Sequence, residues 1–286
     1  MDPQLTGSVE QALGSAVVAN VRVHGGDVAV AFAVDLADGR RVFVKTHRTP
    51  PPGFFTTEAA GLAWLGDAFA VDVPRVLAVS DDAPAFLALE WIERGSPVDS
   101  TEVELGRRLA DLHRAGAPRF GREDRRTTGS RALPNEPADT WAEFYASNRL
   151  LPLAKLAADA HALPDSSITE LEAIAGRLES LGGPPEPPAR LHGDLWGGNR
   201  VVGVGGRSWL IDPAAHGGHR EFDLAMMDLF GGFGDECFAA YHEAFPLADG
   251  WYVRISLHQI APLVVHAIKF GGGYVPAAVA AIGQYS

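Results

Sequence analysis

Three oxygen-bearing side chains follow one another in order along residues 192–223. Asp194 stands in His192-Gly193-Asp194-Leu195-Trp196, Asn199 comes five positions later, and Asp212 ends the apolar run Ser208-Trp209-Leu210-Ile211. Phosphoryl transfer to an alcohol needs such a set. One carboxylate takes the hydroxyl proton, and a second carboxylate with an amide oxygen holds magnesium beside the phosphates. Magnesium prefers oxygen ligands, which Asn199 and Asp212 both offer. Each residue also has a plainer role when taken alone. Asp194 could cap backbone amides of a loop, Asn199 could serve a turn after two glycines, and Asp212 could be structural at a strand-to-loop junction. Their conjunction favours the chemical reading, with Asp194 as base and Asn199 and Asp212 as metal ligands.

The phosphates need a cation as well. Lys45 ends Arg41-Val42-Phe43-Val44-Lys45, and Glu58, read at the start of the following helix, could pair with it. A solvent-facing strand lysine and a first-turn glutamate favoured by the helix dipole are the plainer alternatives. His24-Gly25-Gly26-Asp27 stands where a phosphate-covering turn would sit. It is not a full G-x-G-x-x-G, and an ordinary hairpin turn suits Gly25 and Gly26 nearly as well. Trp196 and His266 are candidates to face an acceptor, although core packing is the commoner role of each residue type. Asp223 opens a helix in Glu221-Phe222-Asp223-Leu224 and is expected to tie down the backbone around the catalytic loop.

The elements that must position these groups divide the chain in two. Residues 16–23, 28–36 and 41–45 read as strands, with Ala37-Asp38-Gly39 turning the second into the third as an antiparallel hairpin. Pro50-Pro51-Pro52-Gly53 breaks the pattern, and a helix with Glu58, Leu62 and Leu65 on one face follows. Residues 76–79 and 86–91 complete five strands and one helix. Ile92-Glu93-Arg94-Gly95-Ser96-Pro97 is a linker, which puts the boundary between lobes 1–92 and 93–286. Beyond it helical periods dominate: Leu105, Leu109 and Leu112, then Leu171, Ile174, Leu178 and Leu181. Residues 249–270 read as a long helix that Pro262 should kink or break.

Composition narrows the class. The 286 residues are 47% hydrophobic and 21% charged, as in an ordinary globular protein. The net charge of −12 and the lack of a long basic run speak against nucleic acid and anionic membranes as partners. The start lacks the regions of a signal peptide, no apolar run reaches spanning length, and Cys237 is the one cysteine. A cytoplasmic protein is expected, and among oligomeric states a monomer is favoured.

At these residues the chain resembles the fructosamine kinase (ketosamine-3-kinase) family, relatives of aminoglycoside phosphotransferases. The resemblance is carried by residues 42–45, Glu58-Ala59-Ala60-Gly61-Leu62, residues 192–199, Leu210-Ile211-Asp212-Pro213-Ala214 and residues 220–233. It also rests on Phe245-Pro246-Leu247, Asp249-Gly250-Trp251 and Phe270-Gly271-Gly272-Gly273-Tyr274. It implies an α+β, bilobal protein-kinase-like fold, with a small N-terminal antiparallel-sheet lobe and a larger, mainly helical C-terminal lobe. It implies ATP and Mg2+, with Asp194 as base, Asn199 and Asp212 on the metal, and Lys45 paired with Glu58. The backbone near Glu90, Trp91 and Ile92 would meet adenine. The implied substrate is a ketosamine, free or on glycated protein lysines, phosphorylated on its 3-hydroxyl.

The chain departs from the family pattern in places. Gly197 replaces the usual Ser, His47 stands where Asn is frequent, and Asp124-Arg125-Arg126-Thr127-Thr128-Gly129 replaces an Asp-Asn-x-Ile-Gly-like stretch that could shape the acceptor pocket. Some relatives carry a glycine-loop cysteine, whereas this chain has Asp27 near that place, so redox control should be absent. Eleven positions from Asp212 to Asp223 leave little room for an activation segment, Pro213 stiffens the residue after Asp212, and no Arg precedes Asp194. A constitutively competent small-molecule kinase is the expectation. The alternatives are an aminoglycoside- or choline-type phosphotransferase, since polycations would be drawn to a −12 chain, and a non-catalytic nucleotide-binding module.

Overall fold

The structure, a computed structural model, describes residues 1–23, 29–124, 127–128 and 133–285. It divides into two compact units: Met1–Thr101 with Gly198–Ala215, and Glu102–Gly197 with His216–Ser286. The segment carrying Asn199 and Asp212 therefore packs with the N-terminal strands rather than with residues 93–286.

The first unit is a five-stranded antiparallel sheet. Strands β1 (Val17–Val23), β2 (Val30–Leu36), β3 (Arg41–Thr46), β4 (Val76–Ser80) and β5 (Phe86–Glu90) lie in the order β1-β2-β3-β5-β4. The β2–β3 hairpin pairs Val34 with Val42 and Ala31 with Lys45. Because side chains alternate along a strand, Val42 and Val44 enter one face while Phe43 joins the other. Two helices cover these faces. Helix α1 (Pro3–Leu13) lays Leu5, Val9 and Leu13 against Val34, Val42, Val44 and Phe86. Helix α2 (Phe54–Gly66) lays Phe55 and Leu62 against Leu87 and Leu89. Helix α1 is an addition to the five strands and one helix expected. Its signals were present in the sequence: Asp2 caps the Leu5 N–H at 2.9 Å, Pro3 opens the helix, and Leu5, Val9 and Leu13 recur every fourth residue.

Helix α2 starts at Phe54, so Glu58 sits in its second turn and not at its start. Its N-terminus is capped from a distance: Asp81 accepts the N–H groups of Phe55 and Thr56 at 2.9 and 3.3 Å and the Thr56 hydroxyl at 2.5 Å. The antiparallel pair Arg200–Val202 and Ser208–Leu210 completes the unit, joined to it by the Leu210 N–H donating to the Asp72 carbonyl and the Gly95 N–H to the Val202 carbonyl.

The second unit is mainly helical. It contains α3 (Thr101–Ala115), α4 (Trp141–Tyr145), a π-turn (Ala146–Leu150), α5 (Leu151–Asp159), α6 (Asp165–Ala175), α7 (Leu178–Leu181), α8 (Glu221–Phe230), α9 (Asp235–Ala244), α10 (Trp251–Phe270) and α11 (Tyr274–Gly283). Leu105, Leu109 and Leu112 are buried on α3 as their period predicts. The period Leu171–Ile174–Leu178 is also buried, but it runs through two helices separated at Gly176 and Arg177. Helix α10 is not broken at Pro262. The carbonyl that proline leaves without a donor, that of His258, lies 3.1 Å from the Tyr145 hydroxyl, which is also 3.0 Å from the Leu257 carbonyl. Among the described residues, no helix is long and apolar enough to cross a membrane.

Candidate active site

The first unit gathers Lys45, Glu58 and Asp212. Lys45 points from β3 with its Nζ 2.6 Å from Glu58 Oε1 on α2 and 2.7 Å from Asp212 Oδ1. Lys45 and Glu58 are buried, whereas Asp212 keeps about a third of its side chain exposed. Burial opposes the Lys45 charge, but the two carboxylates outweigh it and raise its pKa. Burial pushes the Glu58 carboxyl up to about 7 against the pull of Lys45. The lysine is the cation that holds two acids together, which excludes the solvent-facing alternative.

Asp212 has φ +53°, a left-handed conformation that costs a non-glycine residue about 1–3 kcal/mol. Packing holds it there. Pro213 lies so close to Gly61 on α2 that a Cβ at 61 would stand 3.2 Å from Pro213 Cγ. On the other side, the Ile211 N–H donates to the Asn199 carbonyl at 3.0 Å. Asn199 is buried and ends the turn Gly197–Asn199. Asn199 and Asp212, carried by segments joined by that hydrogen bond, each offer an oxygen that could ligate magnesium.

At the end of β5, the Glu90 side chain accepts the Arg75 N–H at 2.8 Å. Trp91 lies beneath the Arg41 guanidinium at 4.6 Å and donates its indole N–H to Glu93 at 3.1 Å. The Glu90 and Trp91 side chains thus have protein partners. Gly25, Gly26 and Asp27 lie outside the described residues, as do Arg125, Arg126 and Gly129 of the divergent stretch.

The second unit builds the loop that carries Asp194. Ala189–Leu191 pairs with His216–Gly218, and the loop after it is fastened by Asp223 near the start of α8. Asp223 accepts the His192 N–H at 2.7 Å and the Gly193 N–H at 2.8 Å, as its position in the sequence led us to expect. Behind it stand two residues that sequence reasoning missed. His113 on α3 meets Asp223 at 3.3 Å through Nε2, and Tyr241 on α9 meets His113 Nδ1 at 2.8 Å. Burial works against the Asp223 charge, but the His113 hydrogen bond and the surrounding donors outweigh it and hold the carboxyl below its usual range. No spacing rule links residues 113, 223 and 241. Gly193 turns with φ +80°, and the Asp194 N–H donates to His192 Nδ1 at 3.2 Å, leaving the half-buried carboxylate on a rigid loop.

Trp196 is 41% exposed and so is not a core residue. His266, in α10, is half-buried and hydrogen-bonded to the Pro262 carbonyl at 2.8 Å. Gly197 leaves no room for a side chain: a Cβ there would come within 2.8 Å of Gly232 Cα.

Comparison with known proteins shows the family. The family model described as fructosamine kinase matches residues 1–286. The probable ketoamine kinase of Synechocystis sp. is 34% identical over 88% of this chain and 85% of its own length. The chloroplastic protein-ribulosamine 3-kinase of Arabidopsis thaliana is 32% identical over 87% of this chain and 77% of its own. A crystal structure bearing the fructosamine-3-kinase name, from Thermobifida fusca, superposes with a TM-score of 0.91 at 39% identity, covering 100% of this chain and 99% of that one. An aminoglycoside phosphotransferase at 14% identity and a TM-score of 0.62 shares the protein-kinase-like fold. With its full length matched by one model and its relatives above 30% identity, the chain belongs to the fructosamine kinase family.

Proposed function

We propose that this protein is an ATP-dependent ketosamine 3-kinase that phosphorylates fructosamines or ribulosamines, both as small molecules and on glycated protein lysines. The reaction type is carried by the buried Lys45 held between Glu58 and Asp212. The acceptor class is supported by the family and by the names of its relatives. In this reading, residues 1–92 with the 198–215 segment serve the nucleotide and the remainder serves the acceptor.

Lys45, kept protonated by its two acids, meets the nucleotide phosphates, and Glu58 fixes its ammonium. Backbone groups at 90–92 take the adenine, and Gly25 and Gly26 cover the phosphates. Asn199 and Asp212 are the residues that would hold magnesium, which when bound neutralises charge on the phosphates. Asp194 accepts the proton of the 3-hydroxyl as its oxygen bonds to the γ-phosphorus and the bond to the ADP oxygen breaks. Asp223 and His113 keep the Asp194 loop in place. The cytoplasm is the compartment we assign.

Incubating the protein with ATP and, in parallel, fructose-lysine, ribulose-lysine, a glycated protein and kanamycin tests this. Phosphate should enter the first three at the sugar 3-oxygen. Efficient phosphorylation of kanamycin with none on the ketosamines would move the protein to the aminoglycoside class. Nucleotide binding without turnover on any acceptor would make it a binding module.

A further inference from the structure

Aromatic rings gather beside the Asp194 loop. The Trp196 ring lies 6.4 Å from that of Phe230 with the planes at 64°, an edge-to-face arrangement that makes a corner beside the exposed tryptophan. His266 packs on Phe230 at 4.7 Å and touches Tyr274 at 4.9 Å, which supports the corner from α10 and α11. Backbone sets the spacing of the two walls. Phe230 is the last residue of α8, and the next carbonyl, that of Gly231, accepts the Gly197 N–H at 2.9 Å. Gly197 and Gly232 then meet with no room for a side chain on either. One helix thus fastens the Asp194 loop at its start, through Asp223, and places a ring against the loop two residues past Asp194.

Two ring faces at a steep angle, one of them an exposed tryptophan, suit a cation, because each face is the negative side of its quadrupole. A ketosamine supplies one. Its nitrogen is a secondary amine, protonated at neutral pH, on C1 of the sugar and two carbons from the C3 that bears the reacting hydroxyl. An acceptor whose 3-hydroxyl meets Asp194 carries this ammonium into the neighbourhood of Trp196. A plain ketose presents a neutral hydroxyl there instead.

Resting on the ketosamine reading above, we infer that Trp196 and Phe230 form a cation–π corner that binds the substrate ammonium, and that Phe230 is a specificity-determining residue. The corner recognises the amine that defines the substrate class while leaving its carrier free to vary.

The test compares fructose-lysine with its carba analogue, in which a methylene replaces the sugar-bearing nitrogen. Mono-, di- and trifluorotryptophan are placed at position 196 by nonsense suppression, and Phe230→Leu is made separately. Fluorine withdraws charge from the ring face with little change of shape. KM for fructose-lysine should climb with each fluorine to a total of about 2–30-fold, while KM for the carba analogue and for ATP stays flat. Phe230→Leu should raise the fructose-lysine KM within the same range and spare the analogue. Equal KM for amine and analogue in the unsubstituted enzyme, or parallel shifts of both with fluorine, would overturn the inference while leaving the ketosamine reading intact. Failure to phosphorylate any ketosamine would remove both.

Discussion

Lys45 and Asp212 form a 2.7 Å ion pair although they come from distant parts of the chain, and Glu58 completes the group at 2.6 Å from the same ammonium. The three side chains make a single electrostatic unit. Removing the lysine leaves two carboxylates facing each other in a buried place. Lys45→Met should lower kcat/KM for ATP by about 10²–10³-fold, the usual loss when one charged donor to the reacting group is removed. The ketosamine KM should change far less. Steady-state kinetics with each substrate varied checks this, and equal losses for both substrates would argue against the assignment.

Asp212 is held in its left-handed conformation and follows Ile211, whose N–H donates to the Asn199 carbonyl. Asp212→Asn keeps the shape and removes the charge. The magnesium concentration for half-maximal activity should rise, or activity should vanish. An active variant with an unchanged magnesium titration would contradict the ligand role.

Asp194 sits on a loop whose backbone is fixed by Asp223. Asp194→Asn leaves that anchoring intact, so nucleotide affinity by calorimetry should be nearly unchanged. Turnover should fall by about 10²–10⁴-fold, the usual range for losing a general base. Turnover like that of the native protein would remove Asp194 from the mechanism.

Acid should destabilise the second unit earlier than carboxylates alone would. Glu221 on α8 makes a paired contact with Arg254 on α10, at 2.5 and 2.9 Å, and lies 3.3 Å from His258, with His219 and Trp141 packed against the same histidine. Burial, then the neighbouring His258, lowers the His219 pKa to about 4, and burial lowers that of His258 as well. An unfolded histidine gains its proton near pH 6.5. Between about pH 6.5 and 4 the unfolded chain therefore holds protons that the folded one refuses, and stability falls as pH falls, by at most about 3 kcal/mol for His219. Glu221 adds to this loss only at lower pH. Burial raises its pKa, but the His258 and Arg254 hydrogen bonds outweigh that and bring it to about 2, so its contribution is lost between about pH 4.5 and 2. Urea unfolding at a series of pH values should show this slope, and His219→Gln should flatten it. An unaltered slope in that variant would rule out His219 as a source.

Cys237 is buried on α9, where its backbone carbonyl meets Gly106 of α3 too closely for any side chain at 106. A thiol so enclosed should react slowly. Activity should be indifferent to mild oxidant or reductant, as measured by turnover after peroxide and after thiol treatment. Reversible inactivation that persists in Cys237→Ser would contradict this.

Much of the fold and part of the site were legible in the residues themselves. Alternation in residues 28–36 and 41–45 around Ala37-Asp38-Gly39 specifies the β2–β3 hairpin, because turn chemistry and a two-residue period act locally. Leu105, Leu109 and Leu112 mark the buried face of α3 for the same reason. Asp223 showed its anchoring role through its place at the opening of a helix, and helix α1 had its signals in Asp2, Pro3 and its fourth-residue apolar period. Other features have no local signature. Asp81 caps a helix 26 positions earlier, Tyr145 serves the carbonyl that Pro262 strands, and His113 and Tyr241 brace Asp223 from two other helices. Each satisfies a backbone group or a buried charge with whatever side chain packing delivers, and packing is decided by the whole sheet or helix assembly. The same holds for the Gly197–Gly232 contact and for Glu58, whose second-turn position followed from where Asp81 starts α2. The order of residues sets which chemical groups the chain owns and the local elements that bear them. Which of those groups meet is settled by packing, because burial makes an unpaired charge or donor so costly that distant residues must complete one another.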